Sequence, residues 1–259
     1  MSISVDLNSD MGEGFGPWTM GDDTALLDVV TSANIACGFH AGDPDVMAKT
    51  MRTAVEQGVG IGAHPGFADL QGFGRRRLDL PLAHLQNAVR YQFGAAQAMA
   101  RAAGGAVRHF KLHGAMSNMA CEDHDMARGL FEAALSIDPD VIIMGLAGTV
   151  METVARDLGC RWAGEIFADR AYNDDATLVD RSEPGAVLHD PAEVTDRIVE
   201  MVRAGAIITA SGKHIPTSIE TICLHGDTAS AVELARATRA GLIAAGITVA
   251  AFDGAPIPA

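Results

Sequence analysis

Four short segments of this chain end an apolar run in histidine, with glycine one or two residues later. The histidines are His40, His64, His113 and His225. A short apolar run is typical of a buried parallel strand, and glycine permits the sharp turn that leaves it. The ends of parallel strands are where β/α proteins collect reactive groups. The pattern therefore predicts an enzyme site with acid–base capacity, at which these four histidines act as catalytic residues.

The first apolar run also carries polar side chains. Asp6, Asn8 and Asp10 alternate along it, which places them on one face if the strand extends that far. Polar groups inside a sheet are costly unless they are paired or used in catalysis. Asp10 is the predicted catalytic carboxylate, with Glu13 as the other candidate for general base.

A similar alternation aligns His109, Lys111 and His113 further along the chain. A lysine on an inner strand face needs an anionic partner, because an unpaired buried ammonium is costly. That partner is a substrate carboxylate or phosphate, or else Asp10 or Asp169 in a structural ion pair. Lys111 is thus a predicted catalytic residue.

The chain has 259 residues, of which 48% are hydrophobic, and a formal net charge of −14. That charge argues against nucleic acid or an anionic membrane as a partner, and an anionic substrate must meet a local cationic cluster. Arg75 and Arg76 are the predicted cluster, because guanidinium groups bind carboxylate or phosphate in a bidentate manner. The further predicted substrate-binding residues are Asn8, Glu13, Asn34, Asp169, Arg170 and Asp227.

Structural roles compete with some of these predictions. Asp43 precedes a proline and suits a helix N-cap better than a site role. Capping is also an alternative for Asp227, and an ion pair with each other is an alternative for Asp169 and Arg170. The four cysteines form no CxxC pair, so neither a disulfide framework nor a thiolate zinc site is indicated.

Strand-like runs alternate with amphipathic helices along the whole chain. This rhythm predicts an α/β fold in one domain, an irregular (β/α) barrel of six to eight mostly parallel strands, with a doubly wound open sheet as the alternative. The predicted strands are 4–8, 32–39, 59–63, 108–112, 141–146, 161–167, 205–209, 215–224 and 247–252. The predicted helices are 44–57, 82–103, 123–135, 149–158, 191–203 and 229–245.

Several familiar motifs are missing from the sequence. It has no GxxxxGK[ST] phosphate loop, no GxGxxG after a strand, no GxSxG and no HExxH. The first residues lack the basic and apolar regions of a signal peptide, and no apolar stretch is long enough to span a bilayer. We therefore expect a cytoplasmic protein.

Seven segments together resemble the LamB/YcsF family of 5-oxoprolinase A subunits, in the expected order over nearly the whole chain. They are 6–14, 34–43, 62–65, 73–75, 111–115, 165–170 and 221–227. The resemblance implies a barrel related to those of glycoside hydrolases and deacetylases. It also implies ATP-dependent opening of 5-oxo-L-proline to L-glutamate, with ATP and Mg²⁺ as cofactors and subunits B and C as partners.

The chain departs from the family pattern at three positions. Leu112 replaces the proline of Lys-Pro-His-Gly, Ser117 stands where tyrosine is usual, and Ala171 stands where glycine is common. If that tyrosine orients the substrate, Ser117 cannot do so. Two other functions stay open: a metal-dependent deacetylase or amidohydrolase with Asp10, His40 and His64 as ligands, and a non-catalytic subunit that binds a small acid.

Overall fold

The structure, a computed structural model, describes residues 3–224 and 231–257 of the chain. The strands are β1 Ser4–Met11, β2 Ser32–Ala36, β3 Gly60–His64, β4 Val107–Lys111, β5 Ile142–Leu146, β6 Trp162–Phe167, β7 Ala206–Ile208, β8 His214–Pro216, β9 Thr221–Leu224 and β10 Thr248–Val249. The helices are α1 Asp23–Leu27, α2 Pro44–Gln57, α3 Leu82–Ala102, α4 Gly114–Glu122, α5 His124–Leu135, α6 Val150–Leu158, α7 Pro191–Ala204 and α8 Ala231–Ala244.

Seven parallel strands close into a barrel in the order β1-β2-β3-β4-β5-β6-β9, and β9 pairs back onto β1. Strand β10 adds to the outer edge of β1, also in parallel. The short strands β7 and β8 form a separate antiparallel hairpin. The predicted (β/α) barrel is confirmed.

Most of the interior of the barrel is polar, apart from Ile142 and Met144 of β5, which pair in register with His109 and Lys111 and belong to a small separate apolar cluster. In many β/α barrels branched aliphatic side chains fill this space. Here six of the seven barrel strands contribute buried polar or cysteine side chains to the interior. Residues two apart on one strand, and residues paired in register on neighbouring strands such as Asp10 and Asn34, lie on the same inner face. These residues are Asp6, Asn8, Asp10, Ser32, Asn34, His64, His109, Lys111, Glu165, Thr221 and Cys223.

The opposite faces of the same strands are apolar and pack against the helices. Leu7, Ile35, Phe110 and Ile222 are among the side chains that are fully buried there. Burying this face stabilises the barrel by roughly 25 cal/mol for each Å² of apolar surface removed from water. The aliphatic core thus lies between the barrel and its helices.

Helix ends follow the sequence signals. The Asp43 carboxylate accepts hydrogen bonds from the amides of Asp45 and Val46 at the start of α2, so the predicted capping role is confirmed. No helix among residues 3–224 and 231–257 is long and apolar enough to cross a membrane.

Several predicted boundaries differ from the structure. Strand β1 continues to Met11, so Asp10 lies inside it, whereas β2 ends at Ala36 and the next residues form a turn. Helices α1 and α4 were not predicted. Both are short, and α4 begins directly after the strand exit at His113, where the apolar pattern continues without a break.

Gly62 leaves the space that the interior histidine of β4 occupies. A Cβ atom added at Gly62 would lie 2.0 Å from Nε2 of His109. That nitrogen is 2.7 Å from Oδ1 of Asn34, so the ring cannot move without breaking a buried hydrogen bond. The packing of the polar interior therefore requires glycine at position 62.

We predict that Gly62→Ala lowers the free energy of unfolding by about 1–3 kcal/mol, because the added methyl group overpacks the interior. The matched control is Gly94→Ala in α3, where an added Cβ meets nothing within 4 Å. The control should leave stability unchanged or raise it by about 0.5–1 kcal/mol. Urea denaturation measures both variants, and equal stability of the two would contradict the packing argument.

Candidate active site

A buried lysine lies at the centre of the barrel's C-terminal end. The Nζ atom of Lys111 is 2.9 Å from Oδ1 of Asp10 and 2.7 Å from Oε1 of Glu165, and all three residues are at most 9% exposed. Its third polar neighbour is Sγ of Cys223, at 3.2 Å. Burial alone would lower the pKa of the Lys111 ammonium, but Asp10 and its other neighbours raise that pKa well above the ordinary value. Lys111 is therefore charged at neutral pH.

A chain of hydrogen bonds extends from this ion cluster down the barrel. Nδ2 of Asn34 lies 2.8 Å from Oδ1 of Asp10 and 2.7 Å from Oδ1 of Asn8. Asn8 in turn donates to Oγ1 of Thr221, 2.7 Å away, and Thr221 donates to Asp6. Buried polar groups that are all hydrogen-bonded rigidify their surroundings. Asn8 and Asn34, both predicted to bind substrate, belong to this chain of hydrogen bonds, in which Asn34 contacts Asp10 directly.

Three of the four predicted histidines converge beside Asp10. Nε2 of His64 is 3.3 Å from Oδ2 of Asp10 and 3.1 Å from Nδ1 of His113. The ring of His40 stacks on that of His113 with a centroid distance of 3.7 Å and an angle of 5°. His225, like Asp227, lies outside the described residues.

Burial keeps two of these imidazoles neutral. It lowers the pKa of His113 to about 3 and, with the neighbouring His113 and His64, lowers the pKa of His40 well below its ordinary value. His40 is 1% exposed, and neither of its ring nitrogens has a hydrogen-bond partner among the described residues. At neutral pH these two rings carry no extra proton and do not act as resting acids.

Two glycines bring the histidine segments into contact. A Cβ atom at Gly66 would lie 2.8 Å from Nδ1 of His40, and one at Gly74 would lie 2.8 Å from Cβ of His40 and 2.9 Å from Cδ2 of His113. Gly74 also has φ +61°, a conformation that favours glycine. Gly66, two residues after His64, and Gly74, which follows Phe73, therefore permit close packing of the histidine rings.

The ion cluster opens into a cavity of about 470 Å³. Asp10, His64, Lys111 and His113 form its inner end. Five basic side chains line the cavity against three acidic ones, in a chain whose net charge is −14. The basic residues are Arg75, Arg77, Lys111, Arg170 and Arg181, and the acidic ones are Asp10, Glu122 and Asp180. The cavity lining is thus locally cationic, and of the two arginines of the predicted cluster Arg75 lies in it.

The other predicted binding residues divide between this cavity and structural positions. Arg75 and Arg170 line the cavity, and Arg170 is fixed by donating to the carbonyls of Ala186 and Val179. Arg76 does not line it, and instead forms an ion pair with Asp69.

Glu13 and Asp169 are both buried, and neither lines this cavity. Glu13 lines a second cavity, of about 310 Å³, on the other side of His40. Its carboxylate nevertheless has an oxygen within 4.8 Å of ligand atoms of Asp10 and His113. Glu13 therefore stays close to the cluster, whereas the structure does not bring Asp169 into the cavity.

The four cysteines are buried and free, as their spacing predicted. Burial raises the pKa of Cys37 and of Cys121 to about 12, and it raises the pKa of Cys223 well above the ordinary value. A thiol that does not ionise is a poor nucleophile. Nucleophilic catalysis by these cysteines is not supported.

Glu165 is a central residue that was missing from the predicted site. The sequence offered Asp10 or Asp169 as protein partners for Lys111, and the structure provides Asp10 together with Glu165. Period-two alternation along β6 places Glu165 on the inner face, opposite Thr221 in register. That alternation was the available signal, but it could not say which of several acidic residues reaches the lysine.

Comparison with known proteins agrees with this geometry. The model of the LamB/YcsF family matches residues 5–256. The chain belongs to the LamB/YcsF family. A protein of Ruegeria pomeroyi that is named as the A subunit of 5-oxoprolinase is 66% identical over 249 residues, covering 96% of this chain and 98% of that relative.

Solved structures agree on the fold. The crystal structure of the lactam utilization protein from Thermus thermophilus is 41% identical, with a TM-score of 0.90, and covers 96% of this chain and all of that one. A structure described as T48 deacetylase with substrate covers 98% of this chain and 90% of its own, with a TM-score of 0.51 and 15% identity. At that identity the second likeness concerns the fold alone, and it fits the predicted relation to deacetylase barrels.

We predict that Lys111→Met lowers the free energy of unfolding by about 3–5 kcal/mol, because it leaves two buried carboxylates unpaired. Adding Glu165→Gln to that variant should restore part of the loss by removing one of the two negative charges. Lys49→Met, at an exposed position of α2, is the control for loss of a lysine. Denaturant unfolding gives the values, and a Lys111→Met protein within about 1 kcal/mol of wild type would contradict the ion cluster.

Proposed function

We propose that this chain is the A subunit of a 5-oxoprolinase and opens the lactam ring of 5-oxo-L-proline to give L-glutamate. Support comes from family membership and from relatives of that name, which are 50–66% identical over at least 96% of the chain. The observation that carries the proposal is the cavity, which joins a cationic lining to a buried cluster of lysine, carboxylates and imidazoles.

The cationic lining suits the substrate class. The substrate 5-oxoproline carries one carboxylate, and in an acidic protein only a local cluster of basic side chains attracts such an anion. Arg75 lines the cavity and stacks over the ring of Phe73, 4.8 Å from its centroid, which holds the guanidinium in place. We assign carboxylate binding to this side of the cavity.

Ring opening requires addition of water to the lactam carbonyl and cleavage of the ring C–N bond. We propose that ATP, with Mg²⁺, first transfers its terminal phosphoryl group to the lactam oxygen and leaves as ADP. Water then adds at the activated carbon, the C–N bond breaks and its nitrogen takes a proton. The γ-glutamyl phosphate so formed reacts with a second water to give glutamate and phosphate. Each of these species is more anionic than 5-oxoproline, which fits five basic side chains around one cavity.

Two residues of the cluster have distinct roles in this scheme. Lys111 stays protonated and supplies positive charge beside the phosphoryl group that the lactam oxygen receives. Both oxygens of Asp10 already contact Lys111, Asn34 or His64, so Asp10 orients its neighbours. We assign transfer of the water proton to Glu13, which does not line the cavity but has a carboxylate oxygen within 4.8 Å of ligand atoms of Asp10 and His113, a distance that one intervening water can bridge.

Two of the three positions that depart from the family pattern lie in this cavity. Leu112 and Ser117 both line it, next to His113 and Gly114. A leucine and a serine in place of proline and tyrosine change the shape of the wall and remove a phenol. We propose that the binding of 5-oxoproline here does not depend on an aromatic hydroxyl at position 117.

The proposal includes partner subunits B and C, and a cytoplasmic location remains a prediction from the sequence. The test measures glutamate release and ATP hydrolysis, with and without 5-oxoproline, for this chain alone and for the three-subunit mixture. We expect 5-oxoproline-dependent ATP hydrolysis and stoichiometric glutamate release in the mixture. Glutamate release at the same rate with and without ATP would favour an ATP-independent amidohydrolase. Binding of 5-oxoproline without any turnover would favour a non-catalytic subunit.

We predict that Glu13→Gln lowers kcat in that mixture by about 10²–10⁴-fold with little change in KM, because it removes the group that moves the proton. The control is Glu56→Gln at an exposed position of α2, which should behave as wild type. A Glu13→Gln enzyme with near-normal kcat would show that the proton is carried by another residue.

A further inference from the structure

His109 is a buried imidazole of β4 to which the sequence pattern gave no role in the site. It lies inside the barrel with no exposed surface, and Gly62 leaves the space that its ring fills. The ring of Phe252 meets it edge-on, with a centroid distance of 5.5 Å. Its Nε2 atom is 2.7 Å from Oδ1 of Asn34. A ring packed in this way has a fixed position, from which it can orient a neighbouring side chain.

The charge of Asp10 determines which way the amide of Asn34 points. Oδ1 of Asp10 forms an ion pair with the ammonium of Lys111, which favours the ionised carboxylate, and an ionised carboxylate only accepts hydrogen bonds. The Asn34 atom that lies 2.8 Å from this oxygen is therefore the amide nitrogen, which is also 2.7 Å from Oδ1 of Asn8. The amide oxygen of Asn34 then faces His109.

His109 supplies the proton of the hydrogen bond to that amide oxygen. Burial lowers the pKa of His109 to about 3, so the ring is neutral at neutral pH and carries a single N–H. An amide oxygen only accepts hydrogen bonds, so this N–H is on Nε2. The other ring nitrogen, Nδ1, has no hydrogen-bond partner among residues 3–224 and 231–257. The single donor of His109 is therefore used by Asn34.

We propose that His109 is a positioning residue for Asp10. By donating from Nε2, it holds Asn34 with the amide nitrogen toward Oδ1 of Asp10, and the other carboxylate oxygen then contacts Nε2 of His64 at 3.3 Å. An Asn34 amide turned over would set its oxygen against the carboxylate and leave both oxygens without a donor, which is costly in a buried site. The hydrogen bond from His109 favours the orientation in which Asp10 is held.

The catalytic consequence of this hydrogen bond rests on the proposed function. Asp10 lies at the inner end of the large cavity, where it contacts Lys111 and His64. His109 does not line that cavity, so it affects the substrate through Asn34 and Asp10. Misplacement of a catalytic group by a distant change can cost about 10²-fold in rate. Loss of the donor should therefore lower kcat much more than it changes KM.

The first experiment compares His109→Met with His109→Gln in the three-subunit mixture with 5-oxoproline and ATP. Glutamine places an amide N–H near the position of Nε2, whereas methionine has a similar length and no donor. We expect His109→Met to lower kcat by about 10–100-fold with KM changed less than about threefold, and His109→Gln to recover most of that loss. The control His124→Met, at an exposed position of α5, should behave as wild type. Circular dichroism and urea denaturation check folding.

A double-mutant cycle shows whether His109 acts through Asn34. Asn34→Ala removes the amide that His109 orients and should itself lower kcat. Adding His109→Met to Asn34→Ala should change kcat by less than about twofold, because the group that His109 positions is already absent. Losses that multiply in the double variant would contradict the proposal.

A ¹⁵N NMR measurement on the wild-type chain alone tests the hydrogen bond without the reaction, and it decides if the variants do not fold. We expect a neutral His109 ring with its proton on Nε2. A proton on Nδ1 instead would overturn the proposal, as would a folded His109→Met enzyme with wild-type kcat, or a His109→Gln enzyme impaired as much as His109→Met. A mixture that does not turn over 5-oxoproline would refute the proposed function, and the His109 tautomer would still decide the orientation of Asn34.

Discussion

The structure depends on one buried ammonium group. Lys111 is 3% exposed and is held by Asp10 and Glu165, which come from strands far from it in sequence. An uncompensated charge in this position would cost several kcal/mol, so the two carboxylates, the lysine and the strands that carry them must be placed together. Asn34 and Asn8 continue the hydrogen-bonded network from Asp10 toward the N-terminal end of the barrel strands. The polar interior is therefore a connected unit.

In this arrangement the apolar core that stabilises the fold and the polar groups of the candidate site lie on opposite faces of the barrel strands. The aliphatic core lies between the barrel and the helices, where Phe110, Ile222 and similar side chains are fully buried. The interior is left to polar groups that bring little hydrophobic stabilisation and can exist only when hydrogen-bonded. Their ends meet a cavity in whose lining five basic side chains outnumber three acidic ones. A negatively charged protein thus presents a positive site to a small acid.

Much of the fold could be predicted, because short apolar runs alternating with amphipathic helices allow few architectures. The polar inner face of β1 and β4 was also readable, since alternation puts Asp10 and Lys111 inside. The contacts between residues far apart in the sequence could not be predicted. Nothing local distinguishes Glu165 from Asp169 as a partner of Lys111, or Arg75 from Arg76 as a cavity residue. Those choices follow from strand register and loop packing, which depend on residues distant in sequence.

The loops after the strands show the same limit. Glycine soon after histidine predicted a turn, and the structure shows that Gly66, two residues after His64, also leaves space for the ring of His40. Gly74, outside the histidine pattern, leaves space where the rings of His40 and His113 stack. Which imidazole faces which neighbour depends on that stacking. The sequence could therefore identify the histidines of the site but not their individual partners.

The most direct test of the account is a crystal structure of this chain with bound 5-oxoproline. The account predicts the ligand in the cavity bounded by Asp10, Lys111 and His113, with its carboxylate toward Arg75 and its ring carbonyl toward the ion cluster. A ligand bound only in the second cavity, beyond His40, or a Lys111 that turns away from both carboxylates would contradict it.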